Sequence, residues 1–238
     1  MSGPGVTVDL WVVDLDRWVA AATANGGPTD QDRARAGRLA DPTAARRLLA
    51  RRSLTRSLLA GALGVDPAGL VIDRRCPTCG GTDHGRPVVR GTPVEFSVSS
   101  SAQIAAVAVS GAPVGVDVEL VRRGIVPLPR ALSDRERDEL GALPDGRQGE
   151  EFLRLWTAKE AVLKASGQDL ADDPSRIDVA GLLTAGSVTV ASAGRTWVVR
   201  HPVPPPALGA RAVVAVADAR GAEVVSRSVG DRPPRDAS

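Results

Sequence analysis

The first apolar run, Val6–Leu15 (VTVDLWVVDL), is dominated by β-branched and aromatic residues and predicts a strand. Asn25-Gly-Gly-Pro28 breaks the pattern. Over Ala44–Leu63, Leu48, Leu54, Leu58 and Leu59 form an apolar stripe through an arginine-rich run, which predicts a long helix stopped at Gly61 or Gly64. Cys76–Pro87 reads as loop, and Val94–Val98 and Ile104–Val109 read as strands around a serine-rich turn, Ser99–Ala102. Pro113–Leu120 is a further strand. A helix beginning at Ser133 follows, then a loop at Pro144-Asp-Gly146 and a second long helix, Glu150–Ala165, closed by Ser166-Gly167. Val188–Val190, Thr196–Val199 and Ala212–Ala217 supply more strands, and a polar tail from Ser228 is expected to be disordered.

Each half thus carries one long helix and several strands. The expectation is an α+β fold of two similar, pseudo-twofold related lobes, 1–112 and 113–227, each an antiparallel sheet packed on its helix, with 228–238 as the tail.

Composition narrows the function. The net charge is only +2, yet the arginines crowd into residues 33–56, a local basic patch suited to phosphates or an acidic protein. Near-neutral charge and few aromatics argue against nucleic-acid binding. No apolar run approaches the ~20 residues of a membrane span, and the start has no signal-peptide pattern, so a cytoplasmic protein without membrane contact is expected.

The candidate chemistry centres on Gly115-Val-Asp-Val-Glu119. Residues two apart on a strand share a face, so Asp117 and Glu119 point the same way and call for a cation. In the second long helix, Leu153, Trp156, Glu160 and Leu163 share a face, which sets Glu160 at the apolar side with Lys164 one turn on. Glu160 and Lys164 are either a surface ion pair or part of a site. Three carboxylates offering only oxygen favour Mg²⁺, or Mn²⁺, over zinc, and Mg²⁺ commonly shares its shell with substrate phosphates. Cys76-Pro-Thr-Cys79 with His84 is a zinc half-site, but only His201 remains as a further histidine, so reduced cysteines in a turn fit better.

GVDVE followed by WTAKEAVLKASG resembles the double signature of the Sfp-type 4′-phosphopantetheinyl transferases. Gly85-Arg86-Pro87 resembles that family's GKP element, and Phe96–Ser101 its F-x-x-S-H-S element. The resemblance implies transfer of the phosphopantetheine arm of coenzyme A to a serine of an acyl or peptidyl carrier protein, releasing 3′,5′-ADP. It assigns Asp117, Glu119 and Glu160 to the metal, Lys164 to the diphosphate and Lys159 to a supporting role. Arg47, Arg51, Arg86, Pro87, Ser99 and Ser100 fall on the coenzyme A side, with Ser100 standing where the family carries histidine. Glu136 matches an acidic position proposed to accept the serine proton, yet Ser133-Asp-Arg-Glu136 is also a capping box. An acidic carrier surface and a monomeric enzyme are expected. The alternative is a coenzyme A- or carrier-binding module with little turnover.

Overall fold

The computed structural model describes residues 7–18, 27–74, 81, 85–168, 173–205, 208 and 211–229. The chain runs β1 (Thr7–Asp14), α1 (Leu15–Trp18), α2 (Asp30–Ala36), α3 (Pro42–Leu63), β2 (Ile72–Arg74), β3 (Pro87–Val89), β4 (Glu95–Ser101), β5 (Ile104–Ser110) and β6 (Val114–Leu120). After these come α4 (Asp134–Gly141), α5 (Asp145–Ser166), α6 (Leu182–Ala185), β7 (Ser187–Ser192), β8 (Arg195–Arg200), β9 (Ala212–Asp218) and β10 (Glu223–Arg227).

Two four-stranded sheets result, ordered β10-β1-β5-β4 and β6-β9-β8-β7, beside a small β2-β3 ribbon. The strands alternate, so each sheet has two apolar faces to cover. Trp11, Val13, Phe96, Ala105, Val107 and Val109 meet Leu54, Leu58 and Leu59 of α3. Val8, Leu10, Val12, Ala106 and Ala108 meet Val114, Val116, Val118, Val214 and Val216, so the two sheets share a core. The outer face of the second sheet, with Ala215, Ala217, Trp197 and Val199, packs under α5. The α+β architecture is the one expected: a long helix covers the outer face of each sheet.

Four details depart from the sequence expectation. Ser99–Ser101 continue β4, and the turn falls at Ala102, where φ is +50°. α3 starts earlier, at Pro42, because Asp41 accepts from the Thr43 amide and proline suits the first helical turn. α5 starts at Asp145 and absorbs the expected loop. Finally, β10 returns to pair in parallel with β1, so residues 223–227 belong to the first sheet although they lie beyond the 112/113 division. Beyond Val229, the tail lies outside the described residues, as do Cys76, Cys79 and His84. His201 holds its ring Nε2 3.0 Å from the Arg154 carbonyl, and burial pushes its pKa down to about 4.

Candidate active site

β6 is an edge strand laid directly under α5. Gly115 permits this approach, since a Cβ there would fall on the Ala161 carbonyl oxygen. On the same face follow Asp117 and Glu119. Glu160 and Lys164, one turn apart on α5, meet them: Lys164 Nζ lies 2.5 Å from Asp117 Oδ1. Burial, then the Asp117 charge, pushes the Glu160 carboxyl up to about 7; Glu119 adds to this and Lys164 opposes it. Asp117 Oδ2 is buried without a hydrogen-bond partner. Strand and helix therefore bring all three predicted carboxylates and Lys164 into one neighbourhood. Among the described residues, however, no three His, Cys, Asp or Glu side chains converge into a ready-made chelate.

The other lobe completes this neighbourhood. β4, the edge of the first sheet, runs beside β6. Ser99 Oγ donates to Asp117 Oδ1 at 2.6 Å and accepts from Lys164 Nζ at 3.1 Å. Ser100, pointing to the opposite face by strand alternation, accepts from Arg51 Nη1 at 2.7 Å. Arg51 opens onto a cavity of about 600 Å³ lined also by Arg35, Arg38, Arg52, Arg56, Arg74, Pro87, Phe96 and Val98. Burial, then Arg52 and Arg35, pulls Arg51 down to about 10, and Arg74 falls to about 10 for the same kind of reason. Asp32 is a counter-charge, 3.2 Å from Arg56 and 3.9 Å from Arg52, and Asp73 also lines the cavity. The Nε groups of Arg52, Arg56 and Arg74 are buried without a hydrogen-bond partner among the described residues. Such a cluster of half-buried guanidinium groups is built for an anion.

Of the residues expected on the coenzyme A side, Arg51 and Pro87 line this cavity and Ser100 touches it through Arg51; Arg74, Arg56 and Asp32 line it without having been expected there. Arg74 reaches the cavity only because β2 folds back beside α3, which no local signal announces. Arg47 is not in the cavity lining; its guanidinium forks onto Asp16 at 2.9 and 2.5 Å. Arg86 bridges the lobes instead, donating to Glu95 at 2.6 Å and to the Ala165 carbonyl at 3.4 Å.

Glu136 and Lys159 sit elsewhere. Both are wholly buried and 2.6 Å apart. Ser133 and Glu136 form the reciprocal capping box, and Glu136 also accepts from the Val179 amide. Lys159 Nζ additionally donates to the carbonyls of Pro174 and Ile177. The cap reading of Glu136 is the one its contacts match. The contacts of this pair hold residues 174–179 against α4 and α5.

Known proteins agree with the motifs. Residues 113–201 match the 4′-phosphopantetheinyl transferase superfamily. The chain is 33% identical over 173 residues to the 4′-phosphopantetheinyl transferase HetI of Nostoc sp., covering 69% of this chain and 70% of the relative. It is 30% identical over 171 residues to a 4′-phosphopantetheinyl transferase of Bacillus subtilis, covering 70% of each. The chain belongs to the 4′-phosphopantetheinyl transferase superfamily. It is accordingly an enzyme of the phosphopantetheinyl-transfer class.

Proposed function

We propose that the enzyme moves the 4′-phosphopantetheine arm of coenzyme A onto a serine of an acyl or peptidyl carrier protein, with Mg²⁺, releasing 3′,5′-ADP. The observation that carries this reading is the meeting of Asp117, Glu119, Glu160 and Lys164 beside an arginine-lined cavity, with β4 shared between them. Mg²⁺ keeps several waters and takes one or two carboxylates plus substrate phosphate, so it asks for neighbours of this kind rather than a closed chelate. The unpartnered Asp117 Oδ2 supports the fit. Asp117, Glu119 and Glu160 would hold the ion, which when bound supplies charge stabilisation at the pyrophosphate.

The arginine cavity, with Arg51 held by Ser100 and with Pro87 at its wall, receives the phosphorylated nucleoside end of coenzyme A. Arg86, which bridges the lobes, borders its approach. Lys164 exchanges part of its hold on Asp117 and Ser99 for the diphosphate, where its positive charge opposes the charge growing on the leaving oxygen. In the transfer, the serine oxygen bonds to the β-phosphorus of the pyrophosphate. The bond from that phosphorus to the bridging oxygen breaks, and 3′,5′-ADP departs. Glu160, on the same face, is the carboxylate suited to take the serine proton as that bond forms.

Beside the carboxylate strand, Arg122, Arg123, Val126, Leu128 and Arg130 are exposed on one loop. Mixed basic and apolar character suits an acidic carrier protein. We place the enzyme in the cytoplasm as a monomer. Among the described residues, no helix is long and apolar enough to cross a membrane. Incubation with coenzyme A, Mg²⁺ and apo carrier proteins, followed by intact-mass measurement, tests the reading: one added arm per carrier is expected. No modification of any carrier at saturating coenzyme A would overturn it.

A further inference from the structure

β4 and β6 are the edges of different sheets, and what joins them is a row of serine hydroxyls. Ser97, Ser99 and Ser101 project from one face of β4 at two-residue spacing. Ser97 Oγ accepts from the Val116 amide at 3.1 Å, and Ser101 Oγ accepts from the Leu120 amide at 3.2 Å. An edge strand has main-chain amides to satisfy on its open side, and these two oxygens do so without ordinary strand pairing. The two end serines then differ. Ser101 Oγ donates its only proton to Glu119 Oε2 at 2.7 Å, whereas among the described residues Ser97 has no hydrogen bond to a carboxylate.

We infer that Ser101 is a positioning residue for metal binding: it fixes the Glu119 carboxylate from the opposite lobe, and Ser97 is its purely structural counterpart. The Leu120 amide anchors one lone pair of the Ser101 oxygen, which aims the hydroxyl proton at Glu119. One carboxylate oxygen is thereby held while the other stays available. Without that hydroxyl, a glutamate with three rotatable bonds must be ordered by the ion itself. Removing an outer partner of a ligand typically weakens metal affinity about 10- to 100-fold. The inference rests on the proposed metal role of Glu119.

The experiment is Mn²⁺ titration with coenzyme A present, followed by electron paramagnetic resonance, on the full chain and on Ser101→Ala, Ser101→Thr and Ser97→Ala. Thermal unfolding of each variant is recorded in parallel. We expect Ser101→Ala to weaken Mn²⁺ binding about tenfold or more, Ser101→Thr to restore most of it, and Ser97→Ala to bind as wild type. Ser101→Ala should lose at least as much stability as Ser97→Ala, because each removes one acceptor of a β6 amide and Ser101→Ala also removes the donor to Glu119. Equal Mn²⁺ affinity in wild type and Ser101→Ala would overturn the inference alone, as would equal weakening in Ser97→Ala and Ser101→Ala. A wild-type chain that binds no Mn²⁺ would overturn the metal reading and the inference together.

Discussion

Glu160 concentrates the electrostatics of the site in a single side chain. Its carboxyl is pushed up to about 7, first by burial and then by Asp117. An acid whose pKa is higher in the folded chain than in the unfolded one binds its proton more tightly when folded. Its contribution to stability is complete below about pH 4.5 and is lost as pH rises to about 7. Glu160→Gln removes this titration. In metal-free thermal unfolding, wild type should therefore lose stability relative to Glu160→Gln across that window and run parallel to it above. A pH-independent gap would contradict the assignment. Arg51 carries the complementary prediction on the other lobe. Arg51→Ala removes a half-buried charge from the anion cavity, so KM for coenzyme A should rise about tenfold or more, with kcat changed by about twofold at most. Steady-state kinetics separates the two parameters; a fall in kcat with KM unchanged would place Arg51 at the reacting bond instead.

At the scale of elements, the helices decide what is functional and what is scaffold. Lys159 and Glu160 are neighbours in α5 and point about 100° apart, so one enters the carboxylate site and the other the protein interior. Lys159 is pulled down by burial, against the pull of Glu136. Breaking such a buried pair leaves a stranded charge: Lys159→Ala should cost about 3–5 kcal/mol in urea unfolding, and Lys159→Met with Glu136→Gln, which removes both charges yet keeps an acceptor for the Ser133 and Val179 amides, should recover part of it. A double variant as unstable as the single one would show that the pair is not coupled. Much of this was legible in the sequence, because it is local. Spacing placed Asp117 with Glu119 on one strand face and Glu160 one turn from Lys164, and the capping box at Ser133 was readable as such. What spacing could not show is contact between distant segments. Ser99–Ser101 read as a turn because serine is a poor strand former, yet those residues extend β4 because β6 and Arg51 give their hydroxyls partners on both faces. Arg74 and Asp32 joined the cavity through tertiary placement alone, and Arg47 left it for Asp16, a partner from α1.

The whole molecule divides its chemistry between two helix-covered sheets and then joins them at one seam. The arginine cavity lies on the first lobe, the carboxylates on the second, and β4 belongs to both by pointing alternate residues to each. The return of β10 to β1, supported by Arg227 at 2.7 Å from Asp9, ties residues 223–227 back to the first strand. Neither lobe alone carries both clusters, so the proposed function needs a cation on the carboxylate face of β6 and coenzyme A bound across the seam. The most direct test is the rate of arm transfer from coenzyme A to an apo carrier protein, measured as a function of Mg²⁺ for wild type and Asp117→Ala, with folding of both verified by circular dichroism. The account predicts a wild-type rate that rises with Mg²⁺ and vanishes in chelator, and no transfer above background by Asp117→Ala at any Mg²⁺ concentration. Transfer by folded Asp117→Ala at the wild-type rate, or a wild-type rate indifferent to chelator, would contradict it.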